Sequence, residues 1–271
     1  MPSRSRRGLF VVAITVALAV GVAFGVRALW RAAQDTLFPA QCTVGSYTVD
    51  TGQAAVASTM VGVVTRRNLP QRAAVLVLAA GLQESKLTNL KPGAGDRDSV
   101  GVLQQRPSQG WGTATQLNDV HYATGAFLDA LVKVDGWQSM SLADAVQAVQ
   151  NSADGNAYAK HESEAQALAD ALAGVRPAAI SCNFAKPTLV APVATVAAQV
   201  RRDLPVRAPT YSGQTVSVPG AHWQTAAWFV ANADRLGIAQ VDYDAKRWQR
   251  GKGWRAAATS PAAVVATMSK G

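Results

Sequence analysis

The sequence predicts a mainly α protein: a transmembrane helix at the N-terminus, a helical domain behind it, and a small α+β module at the C-terminus. Three observations carry this. Gly8 to Val26 is apolar apart from Thr15, about 19 residues, enough to cross a bilayer core as a helix. Between Gln53 and Ala173 the apolar residues recur at helical rather than alternating spacing. After Cys182 the composition shifts to Pro, Val, Ala and Thr, and helical spacing returns only beyond residue 220.

The elements follow in order. Arg4, Arg6 and Arg7 precede the apolar run. The positive-inside rule therefore puts residues 1–7 in the cytoplasm, residues 8–26 in the cell membrane as a signal anchor, and the rest outside. The rival is a long signal peptide, cleaved to release a secreted protein, although the run exceeds the usual core of about 7–15 residues. Cys42 is not a lipoprotein acceptor, because Pro39-Ala40-Gln41 is the wrong lead-in. Residues 42–182 form the main domain. Within it, residues 43–50 read as a short strand or extended entry, and Gln53 to Asn68 as a helix. Pro70 suits the first turn of the next helix, where its missing N–H would go unpaired anyway, and that helix reaches about Glu84. Residues 86–112 are rich in Gly, Pro, Asp and Ser and form a long loop, a kind of segment that is usually functional. Helices resume over Asp119–Val134, then from Ser141, with Asp144 three residues on as in a capping box. The last runs from Asn156 to Ala173, with Gly174 as its C-terminal cap. Residues 183–220 read as an extended linker. Residues 221–271 read as a small module with a helix over Trp223–Leu236, a strand over Ile238–Tyr243 and an apolar stretch over Ala262–Met268.

Charge and cysteines narrow the setting. The net charge is +9, which fits an anionic partner such as lipid headgroups or acidic wall polymers, or simply a basic exported protein. The arginines are scattered rather than striped and no nucleic-acid motif is present, so no nucleic-acid partner is expected. Cys42 and Cys182 flank the main domain. Outside the cytoplasm such a pair is expected to be bridged, closing a loop of about 140 residues, worth ~5 kcal/mol on the chain-entropy account. Two unrelated buried thiols are the alternative.

The chemistry centres on one acid. The chain has three glutamates, Glu84, Glu162 and Glu164. The last two sit in His161-Glu-Ser-Glu-Ala-Gln, a polar helix face. Glu84 ends the apolar run Ala73-Ala-Val-Leu-Val-Leu-Ala-Ala-Gly-Leu82, and Gly81 one turn back leaves room for a ligand. Glycoside cleavage needs a carboxylic acid that still holds its proton near neutral pH, and burial against apolar neighbours supplies that by penalising the charged form. A solvated helix end is the plainer alternative for Glu84 taken alone.

The following segment decides between them. Leu82-Gln-Glu-Ser-Lys-Leu, Gly95-Asp-Arg-Asp-Ser-Val-Gly and Gln104-Gln-Arg-Pro-Ser-Gln-Gly-Trp-Gly112 resemble the lysozyme-like domains of exported actinobacterial wall enzymes. Glu84-Ser85 with Ser99-Val100-Gly101-Val102-Leu103-Gln104 resembles the Glu-Ser and Gly-Leu-Met-Gln signatures of soluble lytic transglycosylases and their goose-type lysozyme relatives. The resemblance spans about residues 43–182. It implies a mostly helical lysozyme-like fold with a saccharide cleft, peptidoglycan glycan strands as partner, and Glu84 as the single general acid/base. Ser85 would support the Glu84 carboxyl, Gly101 would let backbone approach the sugar, and Gln104 would hydrogen-bond an N-acetyl group. Ser99 and Gln105 join the same substrate-binding segment, and Trp111 would stack on a sugar face. Gly101 as a turn and Trp111 as core remain the plain alternatives. The chain departs from the pattern where Val102-Leu103 replaces Leu-Met. It departs again at the third signature, Ala-Tyr-Asn-Ala-Gly, which has only a loose echo in residues 149–155; Tyr158 lies beyond it, out of register.

Asp96 and Asp98, in the loop after Glu84, are candidates for a second carboxylate. One of them positioning a water on the far sugar face would make an inverting hydrolase. Turn caps, or less favourably a calcium site, are the alternatives. With neither engaged, the sugar's own N-acetyl group and 6-hydroxyl would complete the reaction as an anhydro ring. No cofactor or metal is expected: there is no phosphate-loop lysine, no His-x-x-x-His and no Cys-x-x-Cys. The tail weakly resembles a small domain appended to some exported wall hydrolases. It reads as a wall- or envelope-protein-binding module, or as plain packing. The competing whole-protein reading is a non-catalytic scaffold that reuses the lysozyme-like fold.

Overall fold

The computed structural model describes residues 21–22, 24–27, 29, 39–150, 155–185, 189–258 and 261–270. The chain divides into two compact units, Met1–Pro39 and Ala40–Gly271. In the first, the described residues between 21 and 29 are helical and exposed. Among the described residues no helix is long and apolar enough to cross a membrane, which overturns the expected anchor and the cell-membrane placement. The described helical stretch is short and carries Arg27, and most of residues 8–26 lies outside the described residues.

The second unit mixes helix with two antiparallel sheets. The chain is 47% helix and 18% strand, so the expected mainly α class is corrected to a mixed one. Strands β1 (Gln41–Val44) and β2 (Tyr47–Asp50) form a hairpin turned at Gly45, whose φ is +60°. Strand β3 (Ile180–Asn183) pairs antiparallel with β1, with Cys42 directly opposite Cys182, and those two cysteines are disulfide-bonded.

Helix α1 (Thr51–Arg66) starts where Gln53 Oε1 accepts from the Asp50 N–H at 2.6 Å, the return half of a capping box. It is buried along most of its length, and its small residues let other elements come close. At Gly62 an added Cβ would lie 2.5 Å from the Asp203 carbonyl. Helix α2 (Gln71–Ser85) follows Pro70 and is the central element: Ala73 through Leu82 are all buried. A helix apolar all round belongs in the middle of a core; α4 (Val120–Leu131), α5 (Leu142–Gln150) and α6 (Glu162–Leu172) pack on it, while the short α3 (Ala114–Leu117) packs on α4. A 3-10 helix, Gly155–His161, leads into α6, where a continuous α-helix from residue 156 was expected.

The segment 183–220 is not the expected extended linker. Pro192 caps a helix, α7 (Val193–Asp203), whose Val196, Ala197 and Val200 are buried. Strands β4 (Thr210–Ser212) and β5 (Thr215–Pro219) follow. The six-stranded sheet β4-β5-β9-β6-β7-β8 adds β6 (Ile238–Tyr243), β7 (Lys246–Gln249), β8 (Gly253–Ala256) and β9 (Ala263–Met268). The expected helix over 223–236 breaks at Asn232 into α8 (Trp223–Ala231) and α9 (Ala233–Leu236). Helix α8 packs against α1, α6 and the sheet, so residues 221–271 share a core with the helical domain.

One buried carboxylate marks that seam. Asp203, 4% exposed, accepts from Thr59 Oγ1 (3.0 Å) and Trp228 Nε1 (2.8 Å), and lies 2.9 Å from His121 Nε2. Burial pushes its pKa up, but the bonds from His121 and Trp228 outweigh burial and hold it below the usual value.

Candidate functional site

Glu84 lies in the last turn of α2, half-buried at the edge of the core. The helix closes with Lys86 N–H bonded to the Leu82 carbonyl and Leu87 N–H bonded to the Gly81 carbonyl, while Leu87 is fully buried beside Gly81. This is a Schellman-type end with its hydrophobic contact. Lys86 and Leu87 both take positive φ, at 54° and 58°, where a non-glycine residue costs about 1–3 kcal/mol. The chain thus turns sharply off the helix one residue beyond Ser85, and the loop that follows is folded back toward the end of α2.

Three features set the state of Glu84. Burial raises its pKa above the ordinary value, and this is the largest influence. Hydrogen bonds from the side chains of Tyr158 and Gln150 oppose it and lower the pKa without cancelling the rise. The Tyr158 hydroxyl donates to Glu84 Oε1 at 2.6 Å, and Tyr158 is 0% exposed. Gln150 Nε2 also donates to the Leu103 carbonyl at 3.1 Å, tying the end of α5 to the loop. Gln150 further lines a cavity of about 460 Å³ together with Gln109, Trp111 and Val149. Glu84, Tyr158 and Gln150 therefore come from three separate stretches of chain and join by hydrogen bonds, and Gln150 shares the cavity with Trp111 from a fourth.

The other expected site residues serve the loop itself. Ser85 does not hold the Glu84 carboxyl: its hydroxyl donates to the Val102 carbonyl at 2.7 Å and accepts from the Thr88 N–H. Gly101, at φ +78°, packs on the Leu117 carbonyl, which a Cβ would meet at 2.2 Å. That approach, together with the positive φ, calls for glycine at this position. Gln104 takes φ +47° and its Nε2 donates to the Gly101 carbonyl at 2.8 Å. Gln105 is buried, and its Nε2 donates to the Ala123 carbonyl on α4 at 3.2 Å. Ser99 is buried under the loop, its N–H bonded to the Asp96 carbonyl at 3.0 Å. Trp111 is half-buried against the core and lines the cavity.

The two acids of the loop are placed differently. Asp98 Oδ1 accepts from Arg106 Nε at 2.6 Å and Oδ2 from the Ser108 N–H at 2.8 Å. Those bonds, Ser108's first, hold its pKa far below the ordinary value. Asp98 is a brace that closes residues 98–108 into a turn. Asp96 has a side chain 90% exposed, with only Arg97 at 3.8 Å.

Sequence reasoning missed Tyr158 and Gln150 as partners of Glu84. Tyr158 is out of register with the third signature, a few residues beyond its loose echo in residues 149–155. The 3-10 stretch has 3.0 rather than 3.6 residues per turn, which turns Tyr158 inward. The legible signal was compositional: Tyr158 is the one tyrosine between Glu84 and Cys182 other than Tyr122, and it follows the loose third signature by a few residues. Compared with family models and with curated protein sequences, the chain matches none.

Proposed function

We propose that this protein is a peptidoglycan-cleaving glycosidase, a lytic transglycosylase or lysozyme-like muramidase. It cuts the β-1,4 bond between N-acetylmuramic acid and N-acetylglucosamine with Glu84 as its single acid/base. The observation that carries the reading is the carboxyl of Glu84, whose pKa is raised by burial. It is fixed by Tyr158 and Gln150, and Gln150 lines a cavity that also offers the face of Trp111. A carboxyl that holds its proton more tightly than usual, bonded to a glutamine that lines a polar and aromatic cavity, suits protonation of a glycosidic oxygen. The likeness of residues 82–112 to the lytic transglycosylase and goose-type lysozyme signatures supports the same assignment. So does the Cys42–Cys182 disulfide, a bond that persists in the oxidising surroundings where wall glycan is found.

The reaction follows from the shortage of a second acid. Glu84 gives its proton to the glycosidic oxygen as the C1–O bond breaks. With Asp98 occupied by Arg106 and Ser108, and Asp96 out in solvent, the sugar supplies the rest. Its N-acetyl group steadies C1, its 6-hydroxyl attacks C1, and the hydroxyl proton returns to the Glu84 carboxylate. The product is an anhydro ring. A water taking the place of the 6-hydroxyl would give the muramidase outcome.

A second reading, a non-catalytic glycan-binding scaffold, is favoured by one observation: Ser85, Gln104 and Gln105 spend their side chains on protein backbone rather than facing the cavity. One experiment separates the two. The purified full chain is incubated with isolated sacculi, and soluble muropeptides are weighed by mass spectrometry. Fragments with anhydro ends, one water lighter than hydrolysed ones, are expected. Retained binding with no fragments would overturn the enzyme in favour of the scaffold.

A further inference from the structure

The 3-10 helix Gly155–His161 touches the end of α2 at two points. Tyr158 reaches Glu84, and His161 Nε2 lies 3.1 Å from Gln83 Oε1. In a 3-10 helix the side chains at i and i+3 eclipse, so Tyr158 and His161 share one face. Their partners are consecutive residues on α2. Gln83 Oε1 is an amide oxygen and accepts only, so His161 carries its proton on Nε2 and donates. Burial, then the neighbouring Lys160, lowers the His161 pKa, which favours the neutral ring.

The arrangement is a two-point clamp. The Tyr158 hydroxyl has to meet one carboxylate oxygen, and a rotation of the 3-10 turn about its own axis would carry it away. His161, one turn on, blocks that rotation. We propose that His161 is a positioning residue for Glu84: by gripping Gln83 it locks the turn that lays Tyr158 on the Glu84 carboxyl. The inference rests on Glu84 being the working acid, but it is read from a titration rather than from turnover.

The chain offers a convenient probe, since it has only three glutamates, Glu84, Glu162 and Glu164. Selective 13C-carboxyl glutamate labelling of the full chain gives three signals, and the one lost in Glu84→Gln assigns Glu84. The Tyr158 bond lowers the Glu84 pKa, so Tyr158→Phe moves its titration to higher pH. His161→Ala is expected to move it in the same direction, and His161→Gln, which keeps a donor, to restore it largely. The double variant Tyr158→Phe/His161→Ala should titrate where Tyr158→Phe alone does, because both changes remove the same bond. If His161→Ala does not fold, Gln83→Ala breaks the clamp from the other side and is read in the same way. An unmoved Glu84 titration in the single variants overturns the proposal, as does a shift in the double variant equal to the sum of the two. Failure to cleave sacculi alongside the expected titration shifts would remove the enzymatic reading and leave the clamp standing.

Discussion

The Glu84 pKa is raised because two opposing influences are unequal. Removing a carboxylate from water costs more than Tyr158 and Gln150 return by hydrogen bonding, so the pKa stays raised. The stability consequence has a definite sign. A group whose folded pKa is raised contributes stability below its unfolded pKa and loses it as pH climbs through the folded value. Glu84→Gln is neutral at all pH and its amide oxygen still accepts from Tyr158. Its Tm should therefore exceed the parent's at pH 7–8, with the gap closing below about pH 4, the ordinary glutamate range. Thermal melts across that range check this; a gap that widens on acidification would sink it. The same variant should lose about 10²-fold or more in muropeptide release, the usual share of a general acid. Tyr158→Phe acts on the other influence. It leaves a buried carboxyl short of a donor, costing about 1–3 kcal/mol, and the high-pH limb of the pH–rate profile should move upward. A limb that stays put or moves down would mean the hydroxyl is not on Glu84 in solution. Glu84 was legible in the sequence because an apolar run ending in one acid is a local pattern. Tyr158 was harder to read, since it lies beyond the third signature and meets Glu84 across 74 residues of chain.

The loop after α2 separates the residues that spacing picks out from the bonds their side chains make. Ser99, Gly101, Gln104 and Gln105 stood out as a string, and the structure gathers them into one compact turn. Polar side chains in a tight loop find nearby carbonyls: Gln104 bonds the Gly101 carbonyl within the loop, and Gln105 the Ala123 carbonyl on α4. Spacing alone does not tell whether a glutamine faces a ligand or a carbonyl. Gly101 tests the point. It combines φ +78° with the Leu117 carbonyl 2.2 Å from where a Cβ would stand. Alanine there has no space and an unfavourable backbone, so Gly101→Ala should destabilise by about 2–4 kcal/mol, measured by urea unfolding. A loss under ~0.5 kcal/mol would show that the loop is loosely held. Asp98→Asn should act at the same level. It removes the charge that pairs with Arg106 at a solvent-screened site, so unfolding should shift little and cleavage should be nearly unchanged. A 10²-fold loss of cleavage would instead make Asp98 the second carboxylate.

At the scale of the molecule, the helices of the main domain were legible from apolar spacing, while the sheets and the seam were not. Strands β1 and β3 are four residues each and lie 138 residues apart in the Thr43–Ser181 bond; their pairing is fixed by the Cys42–Cys182 bridge rather than by any local period. Residues 183–220 read as linker because proline and threonine outnumber helix signals there, yet α7 buries Val196 and Val200 and ends on Asp203. Helix α8 gives the decisive case. From Thr225 to Ala231 every residue is buried, and polar ties to α1 reinforce the packing. Asn232 Nδ2 donates to Ser58 Oγ at 2.9 Å, Gln224 Nε2 to Thr65 Oγ1 at 2.7 Å, and Thr51 Oγ1 to Asp234 Oδ2 at 2.6 Å. Cutting the chain after Asn183 would therefore expose the apolar side of α1 and remove the Asn232 and Asp203 partners of Ser58 and Thr59, leaving only their bonds to the Ala55 carbonyl. Burying one side chain such as Trp228 or Phe229 is worth about 1.5–3 kcal/mol, and several are lost together, against a total stability of only about 5–15 kcal/mol. A chain ending at Asn183 should give no cooperative thermal transition and should bind a hydrophobic dye, even with the disulfide formed. A sharp transition in that truncated chain, with cleavage of sacculi retained, would make the C-terminal region a separable module after all and return the shared core to a surface contact.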